Sequence, residues 1–190
     1  METLYSLVKF LHILTVIFMA APLYSLIIVN ERALFSKEMV YTLDRYMETI
    51  IGKNAVRCFI FQLTALATGL WLVGHLEWAW NTVLVLKFVL LIALMILLSI
   101  VHFGIQPKIE RLFGQIQDDP IPAQTASAVK RLRLYRKRFA AFCLFILMVI
   151  VLISLQIFNR YPLFANGIIL SLAALFSVRA FKNPLRLGWW

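Results

Sequence analysis

Five apolar stretches, each of roughly 17 to 25 residues, constrain this chain more than any other feature. A stretch of that length with few charges can cross the hydrocarbon core of a bilayer as a helix. The five stretches cover residues 7–29, 57–74, 82–106, 139–158 and 163–178. We therefore predict an all-α fold, a polytopic transmembrane helical bundle of about five spanning helices.

Composition supports a single transmembrane domain over residues 1–190. Hydrophobic residues make up 62% of the chain, far above the share in a soluble domain. The longest polar connections, 30–57 and 107–138, are too short to build an independent core. The net charge of +10 is concentrated in these connections and at the C-terminus, where membrane topology accounts for it, so we predict no nucleic-acid partner.

The distribution of basic residues predicts the orientation. Lysine and arginine crowd the first and third connections, which should therefore be cytoplasmic, with the N-terminus outside and the C-terminus inside. We predict a multi-pass protein of a bacterial inner membrane whose basic loops attract anionic lipid headgroups. The carboxylates in the same loops are interpreted as ordinary surface charge.

The first connection has a helical pattern of its own. Apolar residues recur there at helical spacing between charged ones, which predicts an amphipathic helix lying on the cytoplasmic surface. The apolar positions are Phe35, Met39, Leu43, Tyr46, Met47 and Ile50.

Ionisable groups within the spans are the candidate functional residues, because charge is costly in lipid and is usually retained there for a function. His12 and Lys87 each lie about five residues inside the outer edge of a span, and His75 and Glu77 lie at the same rim. At a rise of about 1.5 Å per residue, these side chains can meet in the outer leaflet.

Each candidate also has a structural interpretation. His12 could form a hydrogen bond between helices instead of binding a cofactor. Lys87 could extend its ammonium group to the membrane–water interface, and His75 could be solvated in the connection between the second and third spans. The sequence alone leaves these alternatives open.

A second, deeper set consists of Cys58, His102 and Cys143. His102 lies roughly 20 Å from the level of Lys87 along the third span, close to the starts of the second and fourth spans that carry the two cysteines. Two thiols and an imidazole could bind copper(I), a soft metal. The alternative is that both cysteines serve as small hydrophobic residues.

Motifs for hydrolytic or nucleotide-driven chemistry are missing from the sequence. It contains no Ser-His-Asp order, no phosphate-binding glycine loop and no HExxH pattern. A bundle of apolar helices with a buried imidazole instead favours haem ligation, redox work, proton or metal movement, or scaffolding.

Three short stretches together resemble a known group of proteins. They are LYSLVKFLHIL at residues 4–14, TGLWL at 68–72, and LKFVLL at 86–91 running on to HFG at 102–104. This pattern is similar to that of the small bacterial membrane proteins grouped around the CopD copper-resistance domain and the HemJ-type protoporphyrinogen oxidase.

The resemblance implies a helical bundle that binds b-type haem. His12 would correspond to the first-helix histidine of that group, and Lys87 to its third-helix lysine, which could pair with a porphyrin propionate. The HemJ pattern has an arginine after the proline late in the first helix, whereas Leu23 follows Pro22 here. This difference argues against porphyrinogen oxidation.

The functional prediction is therefore haem b binding in the outer half of the bundle, for a redox or electron-transfer role. His12 is the predicted iron ligand, His75 the second ligand, and Lys87 a further cofactor-binding residue. One alternative is a non-catalytic membrane subunit or scaffold with a protein partner or a second copy of itself. The other is copper handling through Cys58, His102 and Cys143.

Overall fold

The computed structural model describes residues 2–35, 39–75, 81–116, 121–158 and 162–182. Every regular element within these ranges is helical. The elements in chain order are α1 (Glu2–Phe35), α2 (Tyr41–His75), α3 (Thr82–Ser99), a π-helical segment (Ile100–Ile105), α4 (Gln106–Gly114), α5 (Ala123–Phe158) and α6 (Leu163–Lys182). The predicted rim residue Glu77 lies outside the described residues.

Within the described ranges, five helical stretches are long and apolar enough to span a membrane, as the sequence predicts. They are Glu2–Asn30, Tyr41–His75, Thr82–Gly114, Ala123–Gln156 and Leu163–Lys182. Three of the helices are longer than a span requires: α1 has 34 residues, α2 has 35 and α5 has 36. These helices therefore carry polar residues that the sequence analysis assigned to loops.

Four helices surround a common axis. Both α1 and α3 pack on α2 and on α5, whereas α6 packs mainly on α5. The main hydrophobic core lies between the four helices and includes Met19, Ile27, Ala65, Leu94 and Leu147. Successive spans run in opposite directions. The starts of α1 and α3 and the ends of α2 and α5 therefore lie at the same end of the bundle.

The path from α3 to α4 passes through a break in regular α-helix. Pro107 lacks an N–H group and its ring would clash with the carbonyl group of Phe103 in an uninterrupted α-helix. The backbone accommodates this with the π-helical segment, and the Gln106 N–H group bonds to the carbonyl of Val101, five residues back. The segment sets the rotation at which α4 presents Gln106 to the bundle.

The first turns of α2 do not form a separate helix. Residues 41–50, part of the segment predicted to lie on the membrane surface, continue directly into the second span. They bury Asp44 and Glu48 while leaving Leu43 and Tyr46 exposed. The interpretation of these carboxylates as surface charge is therefore wrong, and the reason is that they face arginines of α5.

A second, smaller hydrophobic core lies beyond these carboxylates. It consists of Ile109, Phe113, Ile116 and Val129, from α4, the residues directly after it, and the start of α5. The extended ends of the long helices thus continue the bundle past the polar residues, with apolar packing on both sides of them.

Candidate functional site

A cavity of about 200 Å³ lies on the axis of the four-helix arrangement. Side chains of α1, α2, α3 and α5 all contribute to its wall, and most of them are apolar. Polar groups in the wall come from Tyr5, Lys9, His12, Lys87 and Ser154. Four-helix bundles commonly place cofactor sites between facing helices in this way.

His12 is held against α2 at this cavity. Its Nδ1 atom lies 2.9 Å from Oγ1 of Thr68. Gly69 lets the imidazole come this close, because a Cβ atom at that position would lie 3.3 Å from His12 Cε1. A glycine at residue 69 thus has a specific packing role beside His12.

The hydrogen bonds of Thr68 define which nitrogen of His12 carries a proton. The Thr68 hydroxyl group donates its one proton to the carbonyl of Thr64, at 2.6 Å. It can then only accept from His12, so Nδ1 carries a proton, and in a neutral imidazole Nε2 keeps its lone pair. Metal-binding histidines are commonly oriented by a hydrogen bond of this kind on the nitrogen that does not bind the metal.

Two lysines bring positive charge to the same cavity. Lys9 lies one turn before His12 on α1, and Lys87 lies across the cavity on α3. Both side chains are partly buried. The structure therefore brings His12 and Lys87 to one cavity, and it adds Lys9, which the sequence analysis did not select.

His75 takes a different position. Its ring is stacked on Trp71, with centroids 4.9 Å apart, and on Tyr5, with centroids 5.6 Å apart. It is exposed, and it lies seven residues beyond Thr68 on α2, a rise of roughly 10 Å. His75 is not part of the cavity wall, although its partner Tyr5 is.

The three residues of the predicted copper site do not form a set of metal ligands. Cys58 and Cys143 are buried in the main hydrophobic core. His102 lies in the π-helical segment with its ring edge-on to Phe59, and its buried Nδ1 atom has no hydrogen-bond partner. Among the described residues, no group of three or more histidine, cysteine or acidic side chains is arranged to hold a metal ion.

A second polar site lies at the opposite end of the bundle. We call it the ionic layer, and it consists of Asn30, Asp44, Glu48, Gln106, Arg133 and Arg136, all of them buried. From His12 to Asn30 along α1 the rise is roughly 27 Å, so the two polar sites are nearly a membrane thickness apart. The main hydrophobic core fills the space between them.

Arg136 is the centre of the ionic layer. Its guanidinium group donates to Glu48 Oε2 at 2.5 Å and Gln106 Oε1 at 2.6 Å through Nη1. Through Nη2 it donates to Asn30 Oδ1 at 2.7 Å and Glu48 Oε1 at 3.0 Å, and through Nε to Asn30 Oδ1 at 3.2 Å. All five N–H groups of the side chain thus have acceptors, which offsets the large cost of burying its charge.

Arg133 extends the layer towards the small core. It donates to Asp44 Oδ1 at 2.5 Å and to Glu48 Oε1 at 2.8 Å. Its guanidinium group also lies over the ring of Phe113, 5.5 Å from the centroid. Two carboxylates of α2 are therefore paired with two arginines of α5, and Asn30 and Gln106 connect α1 and α4 to them.

The ionic layer was not predicted from the sequence, because most of its residues were assigned to loops. Arg133, Arg136 and Lys137 of the third connection are almost fully buried, so attraction of lipid headgroups stays a prediction for the exposed basic residues of that connection. A signal was present in the spacing. Asp44 and Glu48 are four residues apart and Arg133 and Arg136 three apart, so each pair lies on one helix face.

Comparisons with known proteins add no assignment: no family model, curated protein or solved structure matches the chain. Function must therefore be inferred from the geometry of the two polar sites.

Proposed function

We propose that this chain is a multi-pass protein of a bacterial inner membrane that binds haem b in the axial cavity and serves a redox or electron-transfer role. His12 is the proposed iron ligand, and Lys9 and Lys87 are the proposed partners of the propionate groups. In the proposed orientation the cavity is in the outer half of the membrane and the ionic layer is on the cytoplasmic side.

The hydrogen-bonded chain from His12 through Thr68 to the Thr64 carbonyl carries this proposal. It leaves Nε2 as the unprotonated nitrogen of an imidazole that lines a mostly apolar cavity. Neutral imidazole in this tautomer is the form that binds haem iron. Thr68 acts here as a positioning residue, because it contacts His12, the proposed iron ligand, and does not line the cavity.

The two lysines fit an amphiphilic ligand that carries carboxylates. Lys9 and Lys87 reach the cavity from different helices, while aliphatic side chains such as Leu91 and Leu147 provide an apolar wall. An ammonium–carboxylate contact is stronger in such surroundings than in water. The cavity volume of about 200 Å³ is smaller than the roughly 300–1,000 Å³ of pockets for drug-sized ligands, and the cavity is partly open, so part of a porphyrin would lie outside it.

When bound, haem would supply one-electron transfer, which the side chains themselves lack. The contributions of the chain are to orient His12, to neutralise the carboxylates and to exclude water with apolar side chains. For His75 to serve as the second ligand, its ring would have to leave the stack with Trp71 and Tyr5.

The proposal is tested by expressing the protein in haem-replete bacteria and recording the absorption spectrum after purification in detergent. We expect a sharp Soret band that is lost or strongly weakened by His12→Ala. The matched control is His102→Ala, which removes an imidazole that lies outside the cavity wall and should leave the band intact. A colourless wild-type protein, or equal loss in both variants, would contradict haem ligation by His12.

A further inference from the structure

A groove on the outside of the bundle lies between α1, α5 and α6. Its volume is about 610 Å³, within the range of ligand pockets, and every residue of its wall is apolar. Ile17, Leu155 and Leu172 in the wall are exposed, so the groove opens to the outside of the bundle. It shares Val16 and Leu147 with the wall of the axial cavity but none of the polar groups there. The groove is therefore a separate, apolar site.

Two hydrogen-bond donors without acceptors lie beyond one end of this groove. Ser177 follows the wall residue Phe176, and its buried Oγ atom has no partner among the described residues. Arg138 lies eleven residues, or about three turns, before the wall residue Val149, so both are on one face of α5. The Nε atom of Arg138 is buried and also has no acceptor. Buried polar groups are nearly always hydrogen-bonded, so we expect acceptors from outside the chain.

The two donors lie at the same end of the interface between α5 and α6. The guanidinium group of Arg138 is over the ring of Phe181, 5.1 Å from its centroid. Phe181 lies four residues after Ser177, so these two residues share a face of α6. Ser177 is thus about one turn nearer the groove than the place where Arg138 contacts α6.

Positive charge at this end is not balanced by the helices that carry it. Neither α5 nor α6 contains an aspartate or a glutamate, and α6 ends with the exposed residues Arg179 and Lys182. The carboxylates of the ionic layer are paired with Arg133 and Arg136. Among the described residues, no carboxylate lies within ion-pair distance of Arg138. This end of the groove therefore favours an anion.

The distances along α5 fit a phospholipid. Its wall residues run from Leu144 to Leu155, which is 6 to 17 residues after Arg138. At a rise of about 1.5 Å per residue, the wall covers depths of roughly 9 to 26 Å from Arg138. The hydrocarbon of one leaflet is roughly 15 Å thick, half of the membrane core. A phosphate group at Arg138 would therefore place its acyl chains along the groove.

We propose that this groove binds one anionic phospholipid from the leaflet next to the ionic layer. The phosphate accepts hydrogen bonds from the guanidinium group of Arg138, and the hydroxyl group of Ser177, nearer the groove, donates to an ester carbonyl. An acyl chain fills the groove. This is a site for a single molecule that recognises headgroup and chain together, unlike a general attraction between basic loops and a charged surface. The proposal is independent of haem binding in the cavity.

The test titrates delipidated protein in detergent with phosphatidylglycerol or phosphatidylcholine of identical oleoyl chains. Native mass spectrometry gives the apparent dissociation constant of the first bound lipid. Phosphatidylglycerol should bind about tenfold more tightly, because the choline group offsets the phosphate charge of the other lipid. Arg138→Gln should weaken phosphatidylglycerol binding about tenfold and remove the preference, because charge-assisted hydrogen bonds are lost. The matched control is Arg131→Gln, at an exposed position of α5, which should keep both.

A second pair of variants tests the groove itself. Ala173 lines the groove and its neighbour Ala174 does not, although both are partly buried. Ala173→Leu should weaken the binding of both lipids, whereas Ala174→Leu should weaken neither.

Three results would overturn the proposal. The first is equal binding of the two lipids by the wild-type protein, and the second is an equal effect of the two arginine variants. The third is displacement of the lipid by millimolar inorganic phosphate, which would indicate a site for a free anion. None of these results depends on whether haem is bound.

Discussion

Glu48 and Arg136, 88 positions apart in the chain, form a bidentate ion pair inside the bundle, with N–O distances of 2.5 and 3.0 Å. Among the described residues, neither side chain forms an ion pair within its own helix. The pair fixes the position of α2 against α5 along the bundle axis, since a shift of one residue would separate both contacts. Because the two charges are paired, burying them costs less free energy than burying either charge alone.

Removal of the Arg136 charge should destabilise the protein strongly. Arg136→Met leaves Asn30 Oδ1 and Gln106 Oε1 buried without this donor and leaves Arg133 as the one ion-pair partner of Glu48, and breaking a buried pair in this way costs about 3–5 kcal/mol. Arg131→Met is the control, because Arg131 is exposed on the same helix and should change stability by less than about 0.5 kcal/mol. Unfolding in detergent, followed by circular dichroism, measures both. Equal stability of the two variants would contradict the role assigned to Arg136.

The hydroxyl group of Thr68 should matter for ligand binding. Thr68→Val keeps the shape of the side chain but removes the acceptor for His12 Nδ1, and loss of such an orienting partner lowers affinity about 10–100-fold in metal sites. Thr64→Val is the matched control, because Thr64 contributes its backbone carbonyl to the chain of bonds and its side chain bonds only to Ile60. Haem retention during purification compares them. Similar retention would exclude the positioning role of Thr68.

Gly69 and Gly74 should respond differently to a methyl group. Gly69→Ala places a Cβ atom 3.3 Å from His12 Cε1, so the imidazole must shift and the Soret band should weaken or move. Gly74→Ala meets nothing within 4 Å, and should stabilise α2 by about 0.5–1 kcal/mol through lower backbone entropy in the unfolded chain. Spectra and unfolding curves of both variants test this pair. An unchanged spectrum in Gly69→Ala would mean that the contact does not position His12.

Two buried glutamines should have opposite effects when replaced by leucine. Gln62 is 1% exposed and its Oε1 atom has no hydrogen-bond partner, so Gln62→Leu should raise the free energy of unfolding by about 1 kcal/mol. Gln106→Leu removes an acceptor of Arg136 and should lower it by about 1.5–3 kcal/mol. The comparison uses the same unfolding measurement. A stabilising effect at both positions would show that the hydrogen bond from Arg136 to Gln106 contributes nothing to stability.

Some of this arrangement was predictable from single residues. His12 and Lys87 could be placed at one level because each lies a fixed number of residues inside a span, and a helix rises by a constant amount per residue. His75 could be placed at the rim by the same arithmetic, but its stacking between Tyr5 and Trp71 could not be predicted. Depth follows from counting along a helix, whereas the direction in which a ring points depends on neighbours from other helices.

The sequence by itself determined the five apolar helices of the described residues that are long enough to span a membrane, because the number and length of apolar stretches follow from the order of residues along the chain. Only the tertiary structure decided what the charged residues between those stretches do. Charged residues such as Asp44, Glu48, Arg133 and Arg136 are equally typical of a solvated loop. They form a buried layer because α2 and α5 extend beyond their spans and face each other. Charge type is a property of the residue, but burial and pairing are properties of the packed helices.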